Sequence, residues 1–287
     1  MNTSFTDKVV LVTGASRGIG RAVALAFAHE GAKLVLAARS VDRLDRVEQE
    51  VRDLGAEALS VPTDVTSNDA VAALVEAAVN RFGRIDVLVN NAGIGKVSAV
   101  ESATFEDDVR QTMRASLFGM INVTQRTLPV LRRQKSGTIV NMSSVMGRKA
   151  FARFGSYAIV MHSISAFSDS LRQELAGTGI QVSVIHPAIA ATDLLSDAEE
   201  AEMPPPFRHM TPLSSQDVAV AVVAAVRHNR RRVVLPRTAN MLLLGEALSP
   251  RVGDLIATAL THRQVARVLG LARGKNYHQT LASRPSA

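Results

Sequence analysis

The sequence predicts an α/β fold: one doubly wound domain on a seven-stranded parallel sheet, followed by a C-terminal helical extension. Two observations carry this. Short apolar, β-branched runs alternate with longer amphipathic stretches from Lys8 to about Leu235, which is the pattern of strand–helix units. Most of the short runs are apolar at consecutive positions, not at every second one. Strands covered by helices on both faces read this way. No break in composition and no internal repeat divides the chain. Residues 1–237 are therefore read as one nucleotide-binding and catalytic domain, and 238–287 as an extension and tail.

The predicted strands span 9–13, 33–37, 57–62, 87–90, 137–142, 181–186 and 233–235. The helices between them span 18–31, 41–54, 68–82, 105–134, 157–177 and 215–229. Two stretches depart from the alternation. The polar segment 190–212, with Pro204-Pro205-Pro206, follows a strand end, where ligand crevices of open α/β sheets lie; it reads as a lid over substrate. Residues 238–270 read as two helices, carrying Leu242, Leu243, Leu244, Leu248, Leu255, Ile256 and Leu260, that pack within the protein. Residues 281–287 read as disordered.

Composition excludes several classes. At 47% hydrophobic residues the chain can bury a sizeable core. Cysteine is absent, which removes disulfides, thiol nucleophiles and thiolate metal sites and fits a reducing cytoplasm. No His/Asp/Glu cluster has metal-ligand spacing, so no metal is expected. The net charge is +7, but it is not gathered into a basic helix interleaved with aromatics. Nucleic-acid binding is therefore not expected. Arg227, Arg230, Arg231, Arg232 and Arg237 read as a solvated basic edge, or as attraction for an anionic substrate or membrane surface. No signal peptide is visible, and no stretch approaches the ~20 apolar residues of a spanning helix. Peripheral membrane contact through the extension remains open.

Gly14, Gly18 and Gly20 lie between a strand and a helix. Glycines there let the chain turn tightly and bring backbone N–H groups to a pyrophosphate at the helix N-terminus. The second strand runs into Ala37-Ala38-Arg39, where an acid would hold the ribose of NAD and an arginine would accept a 2′-phosphate. Arg39, with Ser16 and Arg17 in the glycine turn, predicts NADP(H).

Together, Thr13-Gly14-Ala15-Ser16-Arg17-Gly18-Ile19-Gly20, Asn90-Asn91-Ala92-Gly93, Ser144 and Tyr157 resemble the short-chain dehydrogenase/reductase family over roughly residues 6–236. The resemblance implies a Rossmann-type fold and hydride transfer between a nicotinamide and a carbonyl or alcohol. It implies further cofactor contacts at Ile19, Asp64, Val65, Asn91, Ala92, Gly93, Pro187, Ile189 and Thr192, and a homodimer or homotetramer built on helices 105–134 and 157–177. It also implies that Tyr157 is the acid/base and Ser144 the group that polarises the carbonyl.

The family pattern continues Tyr-x-x-x-Lys, but here it reads Tyr157-Ala158-Ile159-Val160-Met161. The family's Asn-Leu-x-Gly reads Ser116-Leu117-Phe118-Gly119. A free tyrosine titrates near ~10, and the family's lysine lowers that value. Met161 carries no charge and donates no hydrogen bond. Arg148, Lys149 or Arg153 could fold over the site in its place, whereas His162 reads as packed or exposed and His186 as structural. Phe151, Phe154, Ile189, Leu194, Leu195 and Phe207 suggest a pocket for a hydrophobic small molecule. The leading expectation is an NADP(H)-dependent oxidoreductase with atypical proton transfer. The alternatives are a redox-neutral isomerase, cyclase or dehydratase on the same scaffold, or a silent NADPH-binding protein.

Overall fold

The computed structural model describes residues 5–195, 203, 205–268, 271, 272 and 274–282. Seven parallel strands form one sheet in the order β3-β2-β1-β4-β5-β6-β7. They are β1 (Val9–Thr13), β2 (Lys33–Ala38), β3 (Ala58–Pro62), β4 (Val87–Asn90), β5 (Gly137–Met142), β6 (Ile180–Pro187) and β7 (Arg232–Leu235). The strand order reverses between β1 and β4, and a crevice at such a reversal is where nucleotides bind in this architecture.

The consecutive apolar positions have the reason foreseen. In β1, Val10 and Val12 enter a core under α1 (Gly18–His29), α2 (Val41–Asp53) and α8 (Ser215–Arg227). Val9 and Leu11 enter a second core under α3 (Asn68–Phe82), α5 (Gly119–Gln134) and α6 (Gly155–Glu174). Both faces are covered, so no position can be polar without cost. Each such side chain contributes roughly 1.5–3 kcal/mol by leaving water.

Two elements differ from expectation. The helix predicted over 105–134 is divided into α4 (Phe105–Thr112), a π-helical stretch over Met113–Phe118, and α5. The widened turn lies where Gly119 packs on Val65: a Cβ there would press on the Val65 side chain. No residue pattern announces such contacts, because they are made to another element. Nor does the extension hold two helices; it holds α9 (Ala239–Leu248), α10 (Pro250–Ala259) and α11 (Arg263–Val268), with α12 (Tyr277–Ala282) beyond. Ser249 caps α10 by accepting from the Arg251 N–H at 3.3 Å, and Pro250 takes the first helical position. That Ser-Pro pair ends one helix and starts the next. Leu281 and Ala282, expected to be disordered, finish α12, whereas 283–287 lie outside the described residues.

The extension is not a loose appendage. Leu260 and Tyr277 are buried in a third apolar cluster with Val145, Phe154, Phe207 and Met210, and Leu243 and Ile256 pack against it. α9 and α10 cross closely at Gly245 and Gly253, where a Cβ on Gly253 would lie 3.0 Å from the Glu246 Cα.

Candidate active site

A cavity of about 710 Å³ runs along the carboxyl ends of the strands. Its first half is built from backbone. Gly14 and Gly18 have φ of +65° and +55°, a region that glycine enters without strain. A Cβ on Gly14 would also lie 2.8 Å from Asn91 Nδ2. Gly20 does not line the cavity. It lets α1 sit against the turn, since a Cβ there would overlap the Gly14 carbonyl. Ser16, Arg17, Gly18 and Ile19 line the cavity at the start of α1, so the positive end of the helix faces it.

The loop after β4 is pinned to this turn. Thr13 Oγ accepts from the Asn91 and Ala92 N–H groups at 3.0 and 3.1 Å. Asn91 Nδ2 donates to the Thr13 and Gly14 carbonyls. Gly93 leaves room for Ser116, whose Oγ would lie 2.8 Å from a Cβ. Across the sheet, Asn90 donates to Thr124 and Asn141, and Asn141 donates to Ser168. These buried bonds tie the loop to α5 and α6.

At the mouth, Arg39 and Arg43 line the cavity with Ser40, Asp64 and Arg114. Arg43, Ser40 and Arg114 were not singled out in the sequence. Arg43 stands on the first turn of α2, while Arg39 precedes the helix, so no helical spacing links the two in the sequence. Asp64 is held below the usual carboxylate range by bonds from the Thr66 N–H and hydroxyl, with Arg39 and Arg114 adding to the effect. Val65 is fixed by Asn122, which donates to its carbonyl at 3.0 Å. Arg17 is paired with Asp193 at 3.3 Å, from the turn that follows Thr192. It therefore bridges the glycine turn to that segment and is not turned wholly toward the cavity.

These features fit a nicotinamide dinucleotide. The turn has no room for side chains where a pyrophosphate would lie, and it presents N–H donors and a helix N-terminus. The mouth is cationic.

The second half holds the predicted chemistry. Ser144 lies two residues past the end of β5, Tyr157 and Met161 lie one turn apart on α6, and Ser116 lies on the π stretch; all four line the cavity. Tyr157 and Ser144 share a hydrogen bond. Burial pushes the Tyr157 phenol up to about 12, against the lowering effect of that bond. No cation enters among the causes. Ser144 Oγ also donates to the Pro187 carbonyl at 3.3 Å and accepts from the Met146 N–H. Met161 is 4% exposed, in an apolar cluster with Leu117, Met120, Val160 and Ile164. Ser116 Oγ accepts from the Ile94 N–H at 3.0 Å and donates to its carbonyl at 3.3 Å. Both bonds go to one residue's backbone.

None of the cations considered as substitutes reaches this site. Lys149 is buried and turned to the extension, 2.8 Å from Glu246 and 2.6 Å from Asp254. Arg148 is half-buried, with Arg232 and Asp169 as its charged neighbours, and Arg153 is exposed. Neither lines the cavity. His162 is exposed and bonded to the Ala158 carbonyl. His186 is fully buried; its Nδ1 donates to the Ser144 carbonyl at 3.0 Å, and desolvation pushes its pKa down to about 4. The readings of both histidines stand.

Phe154, Ile189, Leu194 and Phe207 line the substrate side with Met146 and Met203. Phe151 does not; it stacks edge-on against Phe207 at 4.8 Å. The Leu195 side chain and the Pro204-Pro205-Pro206 side chains lie outside those described. Pro187, Ile189 and Thr192 line the cavity as expected. Tyr277 of α12 donates to the Thr192 carbonyl at 2.7 Å, so the extension holds the base of the segment expected to act as a lid.

Residues 8–203 match the family profile described as short chain dehydrogenase. The chain belongs to that family. It is 39% identical over 200 residues to an uncharacterized oxidoreductase of Staphylococcus saprophyticus, covering 69% of this chain and 80% of the relative. It is 33% identical over 261 residues to the ketoacyl reductase HetN of a Nostoc species, covering 88% and 89%. Among solved structures it resembles a short chain dehydrogenase/reductase of Burkholderia phymatum in complex with NAD. There the TM-score is 0.78 at 27% identity, over 87% of this chain and 96% of that one. This chain is an oxidoreductase of the same family, which binds a nicotinamide cofactor.

Proposed function

We propose that the protein is an NADP(H)-dependent reductase of a carbonyl on a hydrophobic small molecule, with Tyr157 acting without a neighbouring cation. The observation that carries the cofactor choice is the pair Arg39 and Arg43 at the mouth, with no acidic residue among Ala37, Ala38, Arg39 and Ser40. Planar guanidinium groups pair bidentately with a phosphate monoester. The apolar lining by Phe154, Ile189, Met203 and Phe207 supports a lipophilic substrate, and a ketoacyl reductase among the relatives is in keeping with that.

The bound dinucleotide supplies or accepts the hydride. The chain's own part is to hold the carbonyl and move a proton. Ser144 and Tyr157 present hydroxyls side by side, and both donate to the carbonyl oxygen. As negative charge develops on that oxygen, the Tyr157 phenol gives up its proton and an alcohol results. A phenol held near 12 is fully protonated at neutral pH, which suits an acid in reduction. In the reverse direction the same group must act as a base, and its phenolate is scarce. Alcohol oxidation is therefore expected to need a higher pH than it would with a cation beside the phenol.

Met161 and Ser116 mark the departure from the usual proton transfer. Met161 offers no charge to lower the phenol, and Ser116 is bonded to Ile94. The remaining groups, Tyr157 and Ser144, suffice for hydride transfer that depends mainly on positioning. Assembly as a dimer or tetramer through α5 and α6 completes the proposal, supported by the exposure of Phe118, just before α5, and of Ile159 on α6.

Fluorescence titration with NADPH and NADH tests the cofactor choice, followed by NADPH consumption over a panel of lipophilic ketones. Tight NADPH binding, weak NADH binding and substrate-dependent oxidation are expected. Equal affinity for both dinucleotides would overturn the role of Arg39 and Arg43. Product formation without NADPH consumption would favour a redox-neutral reaction.

A further inference from the structure

The extension has two faces. Its inner face packs behind Phe154 and Phe207, which line the substrate side of the cavity. Its outer face carries Met241, Leu244 and Leu248 at the i, i+3, i+7 spacing of one stripe along α9, and Leu255 on α10. These four are 61%, 63%, 75% and 69% exposed. Apolar residues that exposed are ordinary singly but not as a continuous stripe.

The charges around the stripe are mostly positive, with Asp254 the exposed exception. Residues 238–287 contain two acids, Glu246 and Asp254, and both are held by the buried Lys149. Arg251, Arg263 and Arg267 are exposed. The stripe also runs on into a cationic groove. Arg237 lies four residues before Met241, and with Arg230, Arg232 and Asn240 it lines an open groove of about 300 Å³ at the β7 edge. Arg232 is shared with Asp169 at 2.9 Å.

An apolar helical stripe beside arginines is what an interfacial helix offers to the acyl boundary and to phosphate headgroups. A second copy is a poorer occupant, because a symmetric contact brings cationic surface against cationic surface. No helix among the described residues is long and apolar enough to cross a membrane, so the contact is one of surface. We propose that α9 and α10, with the arginine groove at the edge of β7, dock the protein on the anionic surface of a lipid bilayer. Docking sets the hairpin that backs the substrate side of the cavity against the layer in which a lipophilic substrate dissolves.

Flotation of the full-length protein with vesicles tests this. One set is pure phosphatidylcholine, and the other contains one-third phosphatidylglycerol. The protein is expected to float with the anionic vesicles only, and added salt releases it. Arg230→Ala with Arg237→Ala is expected to weaken partitioning by about 25-fold, at roughly fivefold per arginine. Leu244→Ser with Leu248→Ser weakens it too, with thermal melting by circular dichroism unchanged. The proposal is overturned if the protein stays unbound with both vesicle sets, or binds both equally. It is also overturned if sedimentation shows a dimer that Leu244→Asp dissociates while vesicles capture nothing.

Discussion

The two halves of the cavity are built on different principles. In the cofactor half, the geometry comes from backbone: Gly14 and Gly18 at positive φ, Gly20 against the Gly14 carbonyl, and Thr13 bonded to the loop after β4. In the half proposed to be catalytic, the groups are single side chains, and no cation acts on Tyr157. Tyr157 lies against Met161, and Lys149 faces away to Glu246 and Asp254. The proposed binding chemistry is spread over many backbone contacts, whereas the proposed proton chemistry hangs on single side chains.

The largest expected effect separates the halves outright. Tyr157→Phe is expected to lower the reduction rate by roughly 10²–10⁴-fold, the usual worth of a general acid, with NADPH affinity unchanged by fluorescence. A loss of NADPH binding instead would mean that the halves are not independent. On the cofactor side, Arg39→Ala with Arg43→Ala is expected to weaken NADPH by about 2 kcal/mol, roughly thirtyfold, for lost charge-assisted bonds, and to leave NADH alone.

Lys149→Met asks whether the extension is part of the catalytic half. The change removes the cation between Glu246 and Asp254. Asp254 is largely exposed, so the cost falls below that of a fully buried pair. About 2 kcal/mol of stability by denaturant unfolding is expected, together with a raised KM, because α9 and α10 support the substrate wall. Met161→Lys restores the charge that the phenol lacks, and roughly tenfold faster alcohol oxidation with its pH optimum moved down is expected. Slower turnover in a folded protein would mean that the site is adapted to methionine.

The smallest effect is a background one. His186 is kept neutral by burial, with its pKa pushed down to about 4, while the unfolded chain takes up the proton near ~6.5. The unfolded state therefore binds more protons between these values. Stability is expected to fall as pH drops through that window, by up to about 1.4 kcal/mol per pH unit. Melting of His186→Gln against the parent chain checks it.

The sheet was legible because a strand covered on both faces must be apolar throughout, as in β1. The glycine turn was legible because glycine enters positive φ without strain and a Cβ on Gly14 or Gly20 would press on neighbouring atoms. What the sequence hid was tertiary. The π stretch over Met113–Phe118 follows from Gly119 meeting Val65 and Ser116 meeting Ile94. The direction of Lys149 depends on acids about a hundred residues later in the chain. Tyr277, which holds Thr192, sits in a stretch with no strand–helix rhythm to mark it.

The chain has two tyrosines and no tryptophan, so phenol ionisation can be read directly from its ultraviolet spectrum. Titration of the parent chain, with the Tyr157→Phe spectrum subtracted, reports Tyr157 alone and needs no substrate. No Tyr157 phenolate is expected below about pH 10, because the group titrates near 12. A phenolate already formed near pH 8 would contradict the account, since some cation would then be acting on Tyr157 in place of the one that Met161 lacks.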